Sequence, residues 1–322
     1  MTLTNTSQIA ILGGAGYIGS QLSHVMANQN INHIVIDNLE NGSREYLNTN
    51  VRLYIESVHN VTALTKIFSE NNIDCIVHLA GLKNASESML QPEKFQFANQ
   101  IGTENVLDAA RASSVNKIIF SSTAAVYGQS ENMSSLNEES PLAPCNPYGE
   151  SKLAAESLIV DAHKNWGLDY VIFRYFNVAG RIKDAIYKSE QESVLPILRE
   201  CFKTGRNFSI FGRDYETRDG TCLRDFIHMS DLIEAKLKAI DLLRDSTNKV
   251  SEIINLGSGH GITILELFHL FNNLTGHKMI FDVSERRAGD VVYSCADISK
   301  SKRVLHWAPE ISMESILEDY AY

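Results

Sequence analysis

One short run of glycines constrains this chain more than any other feature. Ile9-Ala10-Ile11-Leu12 is apolar and strand-like, Gly13-Gly14-Ala15-Gly16-Tyr17-Ile18-Gly19 follows at once, and a helical pattern runs from about Tyr17 to Gln29. The frame Gly13, Gly16, Gly19 marks a strand-to-helix turn. Glycine lets the backbone bend tightly there and approach a pyrophosphate, which would sit on the helix N-terminus.

The pattern repeats. Strands are expected at His33–Ile36, Val51–Ile55, Cys75–Leu79, Lys117–Phe120 and Tyr170–Phe173, with helices near Thr62–Glu70, Gln91–Ala112 and Tyr148–Trp166. Strands alternating with helices imply βαβ units and a parallel sheet. The predicted class is α/β, a Rossmann doubly wound parallel sheet with a smaller C-terminal substrate-binding lobe. Residues 1–177 would form the dinucleotide domain, completed by about 221–257, and 178–220 with 258–322 the smaller lobe. In the latter, a helix from about Ser193 to Thr204, a strand near Phe208–Phe211 and helices near Ile264–Leu274 and Met313–Tyr320 are expected. Gly180–Glu192 and Asp214–Asp225 read as loops. A ligand crevice belongs at the carboxyl ends of the parallel strands.

Composition excludes several roles. The chain has 322 residues, 44% hydrophobic and 21% charged, with net charge −10. It offers no global basic field for nucleic acid or an anionic membrane. No apolar run is long enough to span a bilayer, and Met1–Gln8 has no signal-peptide pattern. Five widely spaced cysteines with no CxxC argue against a disulfide framework or a metal site. A cytoplasmic location is the expectation.

Asp37 closes the second strand. A carboxylate there accepts hydrogen bonds from the adenosine ribose 2′-OH and repels a 2′-phosphate, so NAD is expected over NADP. Arg44, the nearest base, reads as a solvated loop residue.

The chemical site is expected on the helix that Pro147 opens. Tyr148 and Lys152 stand four apart, on one face, and Ser121-Ser122-Thr123 follows the strand that ends at Phe120, where a hydroxyl can reach the substrate. Oxidising a secondary alcohol needs a base for the hydroxyl proton. A tyrosine near pKa 10 needs roughly 4 kcal/mol of phenolate stabilisation to act near pH 7. A Lys152 ammonium and a positive nicotinamide ring would supply it together. Thr123 would orient the substrate hydroxyl.

These residues resemble the extended short-chain dehydrogenase/reductases, and among them the UDP-glucose 4-epimerase family, from Ile9 to about Trp307. Matching blocks are Gly-Gly-Ala-Gly-Tyr-Ile-Gly-Ser (13–20), Ile-Asp-Asn-Leu (36–39), Ala-Gly-Leu-Lys (80–83) and Asn-Pro-Tyr-Gly (146–149). Arg-Tyr-Phe-Asn (174–177) matches as well, and more specific than the glycine loop are Phe-Gly-Arg-Asp-Tyr (211–215), Asp-Gly-Thr-Cys-Leu-Arg-Asp-Phe-Ile-His (219–228) and Arg-Arg-Ala-Gly-Asp (286–290).

The resemblance implies an isomerase in which NAD stays bound, hydride leaves C4, the 4-keto sugar turns over, and hydride returns to the other face. It implies Thr123, Tyr148 and Lys152 as the catalytic set. Around NAD it implies Tyr17, Ile18, Asp37, Asn38, Leu79 and Lys83, together with Ser57, Val58, Ala80, Asn99, Ser121 and Phe176. For the UDP-sugar it implies Lys83, Asn177, Ser193, Val194 and Ser209, then Phe211 by the uracil, Arg224 and Arg287 on the diphosphate, and Asp290 on the ribose. Two arginine forks are what a diphosphate needs in an acidic protein. A homodimer built on the helices Gln91–Ala112 and Tyr148–Trp166 is implied as well.

Several positions depart from the family pattern. Leu12 replaces a threonine, Ser57 an acidic residue beside the adenine, Val178 a proline, and Ser193 an Asn or His; the loop Gly180–Glu192 is short. Ser294 stands where a bulky tyrosine closes the space around the sugar C2 substituent. A small residue there leaves room for an N-acetyl group, so UDP-N-acetylhexosamines are expected beside UDP-glucose and UDP-galactose. The rival activities are a 4,6-dehydratase, which needs an acid where Ala124 and Ala125 follow Thr123, and a decarboxylase, which needs a carboxylate clamp. A non-catalytic NAD-binding scaffold would tend to lose Tyr148 or Lys152.

Overall fold

A computed structural model describes residues 7–130, 133–187, 193–287 and 289–321. The strands are β1 (Gln8–Leu12), β2 (His33–Asp37), β3 (Arg52–Ile55), β4 (Ile73–His78), β5 (Lys117–Thr123), β6 (Asp169–Tyr175), β7 (Asn177–Ala179), β8 (Phe208–Phe211), β9 (Leu223–His228), β10 (Ser251–Leu256), β11 (Gly261–Thr263), β12 (Phe281–Ser284) and β13 (Tyr293–Ser294). Seven of them form a parallel sheet in the order β10-β6-β5-β4-β1-β2-β3.

The sheet is apolar on both faces, so its strands sort residues by parity. Ile9 and Ile11 enter one core, with Leu22 and Met26 of the helix Tyr17–Asn28 and Leu232 and Ile240 of the helix Met229–Asp245. Ala10 and Leu12 enter the other, with Leu64, Val106 and Ile159 of the helices Val61–Glu70, Gly102–Ala112 and Pro147–Trp166. The doubly wound α/β fold expected from the alternation is what the chain adopts.

A third core lies outside the sheet. It joins Leu195 and Leu198 of the helix Val194–Thr204, Phe268 and Phe271 of Ile264–Thr275, and Ile316 and Leu317 of Met313–Ala321. Its strands are short: β9 pairs with β7, β11 and β13, and β8 with β12.

The structure corrects three expectations. The helix Gln91–Ala112 is three segments, a turn at Pro92–Phe95, a π-helix at Gln96–Ile101, then Gly102–Ala112. The loop Asp214–Asp225 gives way to β9 at Leu223, because that segment has strand partners far away in sequence. The strand β10 and the helix Met229–Asp245 were not anticipated as elements. Of the loop Gly180–Glu192, residues 180–187 carry no helix or strand, and 188–192 lie outside the described residues.

Candidate active site

The glycine turn is shaped by contact. Gly13 has φ +75°, and a Cβ there would lie 2.6 Å from the Ala80 nitrogen. A Cβ on Gly19 would lie 2.4 Å from the Gly13 carbonyl oxygen. Gly16 caps the helix Tyr17–Asn28 with no side-chain hydrogen bond, so the first backbone N–H groups keep donor capacity for an anion. The buried Asp37 accepts from Ala15 N at 2.9 Å and from Leu39 N at 2.8 Å. Two of its roughly four lone-pair directions are spent holding the turn, and the others can take ribose hydroxyls. Asn38 is exposed and bonds Glu40; Ser57 caps His59 N.

The fit to a dinucleotide is therefore good at the pyrophosphate and ribose. Other expected cofactor residues divide. Leu79 and Ala80 abut the glycine turn, Ile18 is half-buried beside it, and Val58 packs under the helix Gly102–Ala112. Phe176 is buried. Asn99 is 1% exposed and acts as a clamp: Oδ1 accepts from Leu82 N at 2.8 Å, while Nδ2 donates to Leu82 O at 3.0 Å and to Ser151 Oγ at 2.9 Å. Its role here is to hold the Gly81–Lys83 loop. Lys83 Nζ stands 5.9 Å from the Tyr17 ring centroid.

The helix Pro147–Trp166 starts under strong local direction. Asn146 Oδ1 accepts from Gly149 N at 2.9 Å, and Pro147 takes the first turn. A Cβ on Gly149 would lie 2.7 Å from Ala125 O. This close approach presses the Tyr148 turn against the turn that Thr123 caps. Thr123 Oγ1 accepts from Ala125 N at 3.1 Å, so its hydrogen can be donated to a ligand.

Lys152 is buried one turn further on. Its Nζ donates to Ser121 O at 2.8 Å and lies 4.7 Å from the Phe120 ring centroid. Burial pushes its pKa down to about 8, with Glu156 opposing. Ser121 Oγ lies 2.8 Å from Tyr175 OH. Below this, Glu156 takes a bond from Ser122 Oγ and a fork from Arg174, whose Nη2 lies 2.7 Å from Oε2. Arg174 also donates to Tyr127 OH at 3.1 Å, and Tyr127 donates to Asn255 Oδ1 at 2.7 Å. The end of β5 is thus fixed by a buried, charge-balanced network.

Residues of the C-terminal part of the chain come beside this floor. A Cβ on Gly289 would lie 3.8 Å from Asn146 Cβ, which sets Gly289 beside the start of the helix Pro147–Trp166. Arg224 is nearly buried and pairs with Asp290 at 2.9 Å. The exposed Arg287 lies 3.8 Å over the Phe211 ring centroid. Asn177 in β7 and Ser294 in β13 are both partnered to β9, Ser294 to Arg224 itself. Ser193 and Val194 open the helix Val194–Thr204, and Ser209 is an exposed residue of β8. Phe211, Arg224, Arg287 and Asp290 form one cationic and aromatic patch; Ser209 and Ser193 lie on its flank elements.

Residues 9–257 match the model of the NAD dependent epimerase/dehydratase family. A UDP-glucose 4-epimerase of Lacticaseibacillus casei is 38% identical over 315 residues, covering 96% of this chain and 94% of that protein. The chain belongs to the UDP-glucose 4-epimerase family. Among solved structures, that of the UDP-glucose-4-epimerase of Stenotrophomonas maltophila with bound NAD and formylated UDP-arabinopyranose superposes with TM-score 0.91 at 29% identity, covering 98% of this chain and 97% of that one. The UDP-Glc/GlcNAc 4-epimerase of Campylobacter jejuni gives 0.83 at 35% identity, with 98% of each chain covered. Like other members of this epimerase family, the chain is NAD-dependent.

One residue near the site was passed over in the sequence. Lys236 is 0% exposed, and its Nζ stands 3.3 Å from Ser121 Oγ. The signal was there: it falls three residues after Ile233 and four before Ile240, on the apolar stripe of its helix.

Proposed function

We propose that this protein is a UDP-hexose 4-epimerase that interconverts UDP-glucose with UDP-galactose and UDP-GlcNAc with UDP-GalNAc. The observation that carries this is the Tyr148–Lys152 turn pressed against Thr123 by the Gly149 contact, beneath the Arg224–Arg287 patch. When bound, NAD would be held by the Gly13–Gly19 turn and Asp37 and would supply a reversible hydride acceptor for C4, with no net redox change.

The protein supplies the rest. Tyr148 receives the proton of the C4 hydroxyl and later returns it. Lys152, pinned to Ser121 O, places a buried positive charge one turn away, which lowers the cost of the Tyr148 phenolate. Thr123 donates to the sugar O4 and follows it as the carbonyl forms. Arg224 and Arg287 hold the diphosphate while the sugar turns, and Asp290, already paired to Arg224, takes the uridine ribose. The binding energy of the nucleotide end stays constant as the sugar ring rotates. The test is conversion of UDP-galactose by purified protein with no added cofactor, with NAD assayed after denaturation. No conversion by protein that contains NAD overturns the proposal.

The N-acetylated substrates rest on Ser294, which is buried beside Arg224 and has a small side chain. We propose the division of lobes given above, with the smaller one carrying the UDP. A homodimer in the cytoplasm completes the reading. Phe97, within the segment Gln91–Ala112 of the expected interface, is 55% exposed, and Leu90 just before that segment is 82% exposed. Phe97→Glu separates the protomers in sedimentation if this face is the interface.

A further inference from the structure

We propose that Lys236 is a positioning residue of the reaction: its ammonium seats on the hydroxyl of Ser121, whose carbonyl holds Lys152, so that one residue couples two buried amines at the catalytic turn. The inference rests on the epimerase reading above.

The geometry is compact. Lys152 Nζ donates to Ser121 O at 2.8 Å, and Lys236 Nζ donates to Ser121 Oγ at 3.3 Å. Ser121 Oγ also meets Tyr175 OH at 2.8 Å. The remaining surroundings of Lys236 are aromatic: its Nζ lies 5.0 Å from the Tyr175 ring centroid and 5.8 Å from that of Phe173. Rings and one hydroxyl stabilise an ammonium weakly compared with a carboxylate.

Its helix packs on β5, β6, β7, β9 and the helix Tyr17–Asn28. The ionisable groups that face Lys236 from these are Tyr175 of β6 and, across Ser121, Lys152 of the catalytic helix. Among the described residues no carboxylate acts on it, and burial with the Lys152 charge pushes its pKa down to about 7. Lys152, supported by Glu156, loses its proton higher, at about 8. Lys236 lacks the carboxylate that supports Lys152, so of the two buried amines it is the more readily neutralised. Tyr148 belongs to the same field, because its charge acts on Tyr175. While Lys236 is charged, it favours the Tyr148 phenolate at acid and neutral pH; once neutral, it no longer opposes the Lys152 ammonium at alkaline pH.

The test is kcat/KM against pH for wild type, Lys236→Met and Lys236→Arg. The methionine keeps the volume and drops the charge, so the acid limb moves up by about one pH unit while the alkaline limb stays. The arginine keeps its charge at every pH, so the alkaline limb moves down and the acid limb stays. A readout independent of turnover is the ultraviolet titration of Tyr148, taken as the difference from Tyr148→Phe, which moves up by about the same amount in the Lys236→Met background. Should Lys236→Met fail to fold, the arginine limb decides alone. Folded variants with unmoved limbs, whatever their kcat, assign Lys236 to packing and overturn the proposal. A wild type without epimerase activity overturns the underlying reading instead, and the titration still tests the coupling.

Discussion

Tyr17 donates its hydroxyl to the carbonyl of Gly180 at 2.6 Å, across 163 residues of sequence. It ties the glycine turn to the loop leaving β7. That loop is held further by Gln21 Oε1, which accepts from Ile182 N at 2.6 Å, and by Tyr320 OH and Asp319, which accept from Gly180 N and Arg181 N. Cofactor retention should depend on this tie. Tyr17→Phe is expected to release NAD several-fold faster, read as NAD content after gel filtration. The intrinsic loss of stability should be about 1 kcal/mol. Full retention would place the tie outside cofactor binding.

Tyr148→Phe keeps the ring that meets Phe95 edge-on at 6.4 Å and removes the base. Loss of a positioned general base costs about 10²–10⁴-fold in rate. The expected outcome is a kcat lower by that factor with NAD content unchanged, and a KM for UDP-galactose within a few-fold of wild type.

Ser294→Tyr fills the space beside Arg224. Turnover of UDP-GalNAc should fall at least tenfold relative to UDP-galactose, as a ratio of kcat/KM values. Equal losses on both substrates would show that Ser294 does not face the C2 substituent.

Glu156→Gln leaves Arg174 buried without its counter-charge, both side chains being 3% exposed or less. Breaking such a pair costs about 3–5 kcal/mol. The urea midpoint should fall accordingly.

His78 is buried on β4 beside Thr103, with Nε2 and Thr103 Oγ1 at 3.1 Å. Thr103 spends its proton on Asn99 O, so His78 Nε2 carries hydrogen and donates; Nδ1 has no partner among the described residues. Burial, with the Lys152 charge second, pushes its pKa down to about 3. The unfolded chain binds a proton near pH 6.5 and the folded one does not, so stability falls as pH drops from about 6.5 to about 3. His78→Gln should flatten that part of a stability-against-pH curve. An unchanged slope would mean that other groups dominate acid unfolding.

The cofactor half of the site was legible because its signals are local. Gly13 to Gly19 are consecutive, Asp37 ends the next strand, and Tyr148 and Lys152 share a helix face. The other half depends on distance. β9 serves β7, β11 and β13, strands of two or three residues that show no periodicity of their own. The π-helix at Gln96–Ile101 interrupts a pattern that reads as one helix, and it brings Asn99 to the Leu82 backbone. No propensity encodes that reach. Lys236 shows in the sequence only as a lysine on an apolar helix stripe; its partners, Ser121 of β5 and two rings of β6, are set by the sheet.

The place of β10 in the sheet bears on how the chain is made. It lies at the sheet edge beside β6, yet it is read out only after β7, β8 and β9 have gone to other sheets. A growing chain on the ribosome that has exposed everything up to Tyr175 holds six strands with the apolar β6 as an open margin. That margin, Val171-Ile172-Phe173, can pair with any foreign strand until Ser251–Leu256 arrives to close it. A chain cut after Tyr175 lacks its seventh strand and does not own a finished sheet.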